Sequence, residues 1–255
     1  MSGKFVILTS PRSGSTWLVD LLRSNEEIEM FSELFIPPRK KLKVKQTLNN
    51  HRIEPFYMFK ETNSQIKQTF LVWEYCNQLK HSFGRKKLLG FKLMYDQAKT
   101  YPELLFKLTI DGYKFIHLIR ENHLDVELSI INAWHKEGNQ IVVTRKEIDF
   151  LKPVNLDVSS LVERLSERES RINRWKNYLL ALPRPVLTIT YQELCDNKNL
   201  TLSGVNKFLG LPQSSTCYES SVKKISRDSY KAKIANYSEV KNALLGTKFA
   251  HLLEE

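Results

Sequence analysis

The sequence predicts an α/β domain in which a parallel sheet of about four or five strands is flanked by helices on both faces. Three observations carry that prediction. Apolar runs of strand length, such as Phe5 to Leu8 and Leu88 to Met94, are nearly continuous rather than alternating, as strands buried on both faces require. The stretches between them repeat their apolar residues at helical spacing. At 255 residues, 42% of them apolar, the chain is long enough for one full-sized core. No repeat, low-complexity linker or shift of composition marks a boundary, so 1–255 reads as a single domain.

The elements follow in order. Phe5 to Leu8 is the first strand, and the turn cluster Ser10 to Thr16 follows it. Trp17, Leu18, Leu21 and Leu22 then recur at helical spacing, so the loop runs straight into a helix. Ile28 to Phe31 reads as a short second strand that leads to Ser32 and Glu33. Ile36 to Lys60 is rich in Pro, Lys and Arg with a weak pattern; it reads either as a lid or acceptor-side insertion, or as a solvated surface loop. Thr62 to His81 reads as an amphipathic helix with Ile66, Phe70, Trp73 and Leu79 as its apolar stripe. Leu88 to Met94 is a buried strand that carries one lysine, Lys92. Tyr101 to Leu108 is helical, Gly112 breaks it, and Tyr113 to Ile119 is the next strand. Arg120 ends that strand, and Asn122 caps a helix through Ile131 and Trp134. Gly138 to Pro153 is a connection. A long helix spans about Ser160 to Leu182, with Ser160 and Glu163 as a capping box, and Pro183 and Pro185 end it. Val186 to Thr190 is the last clear strand. Tyr191 to Leu194 and Val205 to Leu209 are helical, closed by Gly210 and Pro212. A basic, polar tail from Val222 to Tyr237 precedes a final helix holding Leu244, Leu245, Phe249 and Leu252.

The junction after the first strand carries the chemistry. A strand, a small-residue loop and a helix together present free backbone N–H groups and a helix N-terminus to an anion. Ser13, Ser15 and Thr16 add hydroxyl donors, Gly14 lets a ligand approach the backbone, and Arg12 adds a fixed cation. The plain alternative is an N-capped helix, but a cap needs one hydroxyl and here three flank a glycine. A nucleotide loop of the G-x-x-x-x-G-K-[ST] type, aligned on Gly14, requires glycine at Thr9 and lysine at Ser15. Neither is present, which disfavours ordinary ATP or GTP use.

Composition narrows the classes further. The formal charge is +11, from 39 Lys+Arg against 28 Asp+Glu, which suits an anionic ligand, a nucleic acid or an acidic surface. The basic residues are scattered and no recognition motif appears, so a basic nucleic-acid-binding module is a weak alternative. A metal-dependent nucleotide phosphotransferase with a divergent phosphate loop is the other alternative, and no carboxylate cluster suggests where it holds magnesium. The three cysteines, Cys76, Cys195 and Cys217, have no metal spacing and read as reduced and structural. No segment approaches the roughly eighteen apolar residues of a membrane span, and the first apolar run is too short for a signal peptide. These features predict a soluble, cytoplasmic protein with no nucleic acid and no membrane span, and leave both a monomer and a homodimer open.

The loop Ser10-Pro11-Arg12-Ser13-Gly14-Ser15-Thr16-Trp17 resembles the 5′-phosphosulfate-binding loop of sulfotransferases that use 3′-phosphoadenosine 5′-phosphosulfate (PAPS), whose loops often read Tyr-Pro-(Lys or Arg)-Ser-Gly-(Thr or Ser)-Thr-Trp. Its arginine is typical of the bacterial and carbohydrate branches. A second likeness lies at Arg120 and Ser129. In the family an arginine at a strand end and a serine in the next helix hold the cofactor's 3′-phosphate; here the serine lies one residue further on than is usual. Without the first loop these two would read as a surface arginine and a helix serine. Thr190 to Leu194 looks like the family segment whose tyrosine borders the adenine, which gives Tyr191 that role, or else the role of a packed core tyrosine. Phe208-Leu209-Gly210-Leu211-Pro212 matches the segment that follows. Lys223 and Lys224 resemble the basic residues that close over the cofactor in bacterial members, and read otherwise as solvated charges.

The resemblance implies a P-loop-like sulfotransferase fold, PAPS as cosubstrate, PAP (3′-phosphoadenosine 5′-phosphate) as product, and no metal. Arg12 to Trp17, with Arg120, Ser129, Tyr191, Lys223 and Lys224, are its cofactor-binding residues. Bacterial and carbohydrate members often use a glutamate base, and Glu33 matches by its place after the second strand; its bland reading is an exposed acid at a helix start. The six histidines are the rivals, with His117 read as buried in a strand. The expected mechanism is in-line transfer: Glu33 deprotonates a hydroxyl or amine, while Arg12 and the loop N–H groups stabilise the departing charge. Lys92 is a second cation. The acceptors left open are a sugar, a glycolipid headgroup or a specialised metabolite, a guanidinium alkaloid of the saxitoxin type among them.

Overall fold

The computed structural model describes residues 3–38, 53–80, 86–135, 153–212, 218–220 and 229–253. Its centre is a five-stranded sheet built from β1 (Gly3–Thr9), β2 (Ile28–Glu33), β3 (Leu88–Met94), β4 (Lys114–Ile119) and β5 (Val186–Thr190), in the order β2-β3-β1-β4-β5. All four pairings are parallel. Continuous apolar runs fit this arrangement because both faces of the central strands are covered: Phe5, Val6, Ile7 and Leu8 are fully buried.

The helices are α1 (Ser15–Arg23), α2 (Phe56–Thr62), α3 (Gln68–Lys80), α4 (Tyr95–Thr100), α5 (Pro102–Ile110), α6 (His123–His135), α7 (Leu161–Leu180), α8 (Tyr191–Asp196), α9 (Lys198–Leu209), α10 (Tyr230–Lys233) and α11 (Tyr237–Leu244), with a 3₁₀ turn at Ala250–Leu253. On one face of the sheet, Phe5, Ile7 and Ile116 pack with Leu18 and Leu22 of α1 and Leu202 and Val205 of α9. On the other, Phe91 meets Phe35 and Tyr113, and Phe35 meets Phe56 of α2 and Tyr75 of α3. Gly90 is needed in β3 because a Cβ there would lie 2.2 Å from the Phe5 ring.

This is a single α/β domain by class, and its chain gathers into two compact units. The first is Met1–Ile119 with Lys176–Ser220 and contains the whole sheet; the second is Arg120–Trp175 with Ser221–Glu255. The second has its own apolar centre, in which Leu124 and Leu128 of α6 pack with Leu161 and Leu165 of α7, Val240 and Leu244 of α11, and Phe249. Inside it, Glu127 is buried and receives Arg168 through both Nε and Nη2 at 2.8 and 2.6 Å.

Several expectations change. Residues 39–52, most of the stretch 36–60 read as a lid or a surface loop, lie outside the described residues; its last part is helical, because Phe56 begins α2 and is fully buried. The helix expected over 62–81 starts later, at Gln68: Thr62 ends α2, residues 63–67 are not helical, and α3 runs to Lys80. Its core face is Leu71, Val72, Tyr75, Cys76 and Leu79, whereas Ile66 and Phe70 are exposed. The six-residue α4 was not foreseen. Leu245, placed in the final apolar helix, is exposed, while Leu244, Phe249 and Leu252 are buried. Most of the connection 138–153 lies outside the described residues.

Candidate active site

β1 ends at Thr9, and the chain turns through Pro11 to Gly14 into α1. Two residues of the turn take left-handed backbone angles, Arg12 at φ 65° and Gly14 at φ 83°. Gly14 has a second constraint: a Cβ there would lie 2.3 Å from Cδ2 of Tyr191. The first helical bonds run from Trp17 N and Leu18 N to Gly14 O. The N–H groups of Ser15 and Thr16 therefore precede the bonded turn and stand at the positive end of α1. No acidic residue occupies that turn. A cation, N–H groups and hydroxyls, with no carboxylate among residues 10–16, form a donor set that fits an anion.

The three hydroxyls divide their work. Ser13 is fully buried and lies 2.6 Å from Thr9 Oγ1, which in turn lies 2.7 Å from the Leu118 carbonyl. A carbonyl cannot donate, so Thr9 donates to Leu118 and Ser13 donates to Thr9. The Ser13 hydroxyl thus ties the loop to β4, which leaves its N–H as its group for a ligand. Ser15 is buried at the start of α1 and Thr16 is exposed. Trp17 meets Tyr191 edge-to-face at a centroid separation of 6.1 Å. Tyr191 therefore packs on the loop itself.

Glu33 is the last residue of β2 rather than a loop residue beyond it. Phe31 pairs with Phe91 and Glu33 pairs with Lys92, so one extra residue is accommodated between them. That bulge places Glu33 beside Lys92 instead of one position further along. Lys92 Nζ lies 3.0 Å from Glu33 Oε1, with the lysine side chain only 4% exposed and the glutamate 18%. Gln97 of α4 donates from Nε2 to Glu33 Oε2 at 2.7 Å. Because β3 is the neighbour of β1, with Ile7 paired to Lys92 and Thr9 to Met94, this ion pair ends at the same sheet edge as the loop.

The histidines differ in setting. His117 of β4 is fully buried and shares a 2.5 Å hydrogen bond with the Tyr95 hydroxyl. Burial, with help from the charge of Lys176, pushes it down to about 4, so it is neutral near pH 7. His123 is buried and also pushed down, chiefly by burial. Arg120 and Ser129 belong to the second unit. Arg120 Nη2 lies 2.7 Å from Asp125 Oδ2, and Asp125 also accepts from the Tyr230 hydroxyl at 3.1 Å. Asn122 caps α6 as expected, its Oδ1 accepting from Asp125 N at 3.0 Å. Lys223 and Lys224 lie outside the described residues. Among the described residues no group of three or more His, Cys, Asp or Glu is placed to hold a metal ion, and no helix is long and apolar enough to cross a membrane.

The fold is thus a parallel sheet with a carboxylate-free, donor-rich loop at its edge and helices on both faces. Residues 2–251 match the sulfotransferase domain family. The chain belongs to that family, whose chemistry is sulfuryl transfer. Among solved structures, the sulfotransferase domain from the curacin biosynthetic pathway aligns with a TM-score of 0.52 at 16% identity, over 95% of this chain and 90% of that one. A sulfotransferase from Alicyclobacillus acidocaldarius aligns at 0.48 and 15% identity, over 89% and 86%. A mouse sulfotransferase complexed with PAP aligns at 0.46 and 13% identity, over 99% and 87%. The curacin-pathway likeness supports the fold. No curated protein matches the chain.

Proposed function

We propose that residues 1–255 form one catalytic domain that moves the sulfuryl group of PAPS to a hydroxyl or amine of a small-molecule acceptor, releasing PAP in the cytoplasm. One observation carries the reading. A donor-rich loop without a carboxylate, held by two left-handed residues, opens at the same sheet edge as an ion-paired glutamate. When bound, PAPS supplies an activated sulfuryl group. Arg12 and the N–H groups from Ser13 to Thr16 hold its sulfated end and oppose the negative charge that grows there. Lys92 is the second cation of that edge. Glu33, an ion-paired carboxylate, takes the proton of the acceptor. By the motif resemblance alone, Arg120 and Ser129 take the 3′-phosphate, Tyr191 borders the adenine, and Lys223 and Lys224 belong to the closing segment. The packing of Tyr191 on Gly14 supports a further role in shaping the loop.

The reading is tested by thermal melting. PAP without added metal raises the melting temperature; at a hundredfold excess over its dissociation constant, linkage gives about 2.7 kcal/mol of stabilisation. ATP with magnesium does much less, because it lacks the 3′-phosphate. A larger shift from ATP-magnesium would overturn the reading in favour of a phosphotransferase. Mass spectrometry of a metabolite extract incubated with labelled PAPS then identifies the acceptor as the compound that gains SO₃.

A further inference from the structure

A general base works only if its carboxylate is held where the proton leaves. The structure shows how Glu33 is held, and the second of its two restraints was not legible as a site residue. Among the described residues Glu33 has two partners: Lys92 Nζ at 3.0 Å from Oε1, and Gln97 Nε2 at 2.7 Å from Oε2. Each carboxylate oxygen is thus pinned from a different element, β3 on one side and α4 on the other. The charged group in contact is Lys92; α4 presents the neutral Gln97, while its own Asp96 and Lys99 are exposed.

Gln97 is itself fixed. It is 7% exposed, and its Oε1 accepts the N–H of Met94 at 3.1 Å, the last residue of β3. One side chain therefore closes the start of α4 and restrains the carboxylate. The amide cannot turn over without losing both bonds, since the flipped group would set NH₂ against an N–H and a carbonyl against a carboxylate.

We propose that Gln97 is a positioning residue for sulfuryl transfer: its amide fixes the second oxygen of Glu33 and so aims the base. This rests on the reading of Glu33 as the base. Without Gln97, Glu33 keeps Lys92 but gains freedom to rotate about its terminal torsion, and turnover falls while cofactor affinity does not.

Two variants separate aiming from mere capping. Gln97→Met is nearly isosteric and removes both bonds. Gln97→Glu keeps an acceptor for Met94 N–H and replaces the donor facing Glu33 by a like charge. The direct readout is the carboxyl carbon titration of Glu33 by NMR in the PAP-bound protein, its signal identified by its loss in Glu33→Gln. Gln97→Glu is expected to raise the titration midpoint of Glu33 by about one pH unit, the equivalent of one hydrogen bond to a charged group. An unchanged midpoint would overturn the proposal, because the cap alone is preserved in that variant. If Gln97→Met does not fold, Gln97→Glu still decides. Rate–pH profiles with 2-naphthol as the probe acceptor then test the base itself. Loss of the acidic limb in Glu33→Gln supports the base, and the same limb moves to higher pH in Gln97→Glu. A limb retained in Glu33→Gln would overturn the base and with it the aiming role, even with a shifted midpoint. A limb lost there but unmoved in Gln97→Glu would overturn Gln97 alone.

Discussion

Arg12 is held at a backbone angle that its own side chain disfavours. At φ 65° a non-glycine residue bears about 1–2 kcal/mol of strain. Glycine would relieve it, yet the chain keeps arginine at this turn, beside a glycine already at φ 83°. Strain retained where charge is needed is consistent with a ligand contact. Strain and charge are separable by two substitutions. Arg12→Ala and Arg12→Gly both remove the cation, so both lower turnover by roughly 10- to 100-fold, the rate equivalent of one charge-assisted contact. They differ in stability: Arg12→Gly unfolds at a higher urea concentration than Arg12→Ala, because only glycine takes the left-handed angle freely. Equal urea midpoints would show that the turn relaxes, and full activity in either would remove Arg12 from the site. Gly14 is more tightly constrained, since any side chain there meets the Tyr191 ring as well as the positive φ.

The elements explain why Tyr191 is where it is. Thr190 ends β5, and its Oγ1 accepts Glu193 N at 3.0 Å while Glu193 Oε2 accepts Thr190 N at 2.7 Å. This reciprocal cap starts α8 abruptly and points its first residue, Tyr191, at the loop. Thr190→Val keeps the shape but loses the hydroxyl, and costs about 1 kcal/mol, read as a lowered urea midpoint. It is also expected to weaken PAP binding by a fewfold, because Tyr191 loses its anchor; unchanged binding with lowered stability would confine the cap to folding. The threonine-x-x-glutamate signal of this cap is present in the sequence at Thr190 and Glu193. The strands were legible because a strand buried on both faces must be continuously apolar. The α3 stripe was not, because counting from Ile66 carries the helical period across a turn and lands on the exposed Phe70. The loop was legible from residue types alone. The Glu33–Lys92 pair depends on a bulge between Phe31 and Glu33, which no local pattern announces. Gln97 lies on a six-residue helix, too short to show a period.

At the scale of the whole molecule, one buried group ties global stability to pH. His117 lies on β4, an interior strand of the sheet, fully buried beside Tyr95. Burial first, and the charge of Lys176 second, push its folded value down to about 4 from an ordinary value of 6.5. Between those two values the unfolded chain binds a proton that the folded chain refuses. Stability therefore stands in full above about pH 6.5 and is lost as the pH falls toward 4. Between pH 7 and pH 5 the loss from this residue alone is about 2 kcal/mol. His123 is depressed in the same direction by burial and adds to the slope. His117→Gln retains a hydrogen-bonding partner for the Tyr95 hydroxyl but cannot take up the proton. It is less stable than the parent at pH 7, because its shape fits the site less well. The two proteins converge on acidification: the gap between their unfolding free energies narrows by about 2 kcal/mol from pH 7 to pH 5, while the contribution of His123 persists in both. Urea titrations at pH 7, 6 and 5 measure it. Parallel stability curves would mean that His117 is protonated in the folded protein at ordinary values, and that its site on β4 is open to water.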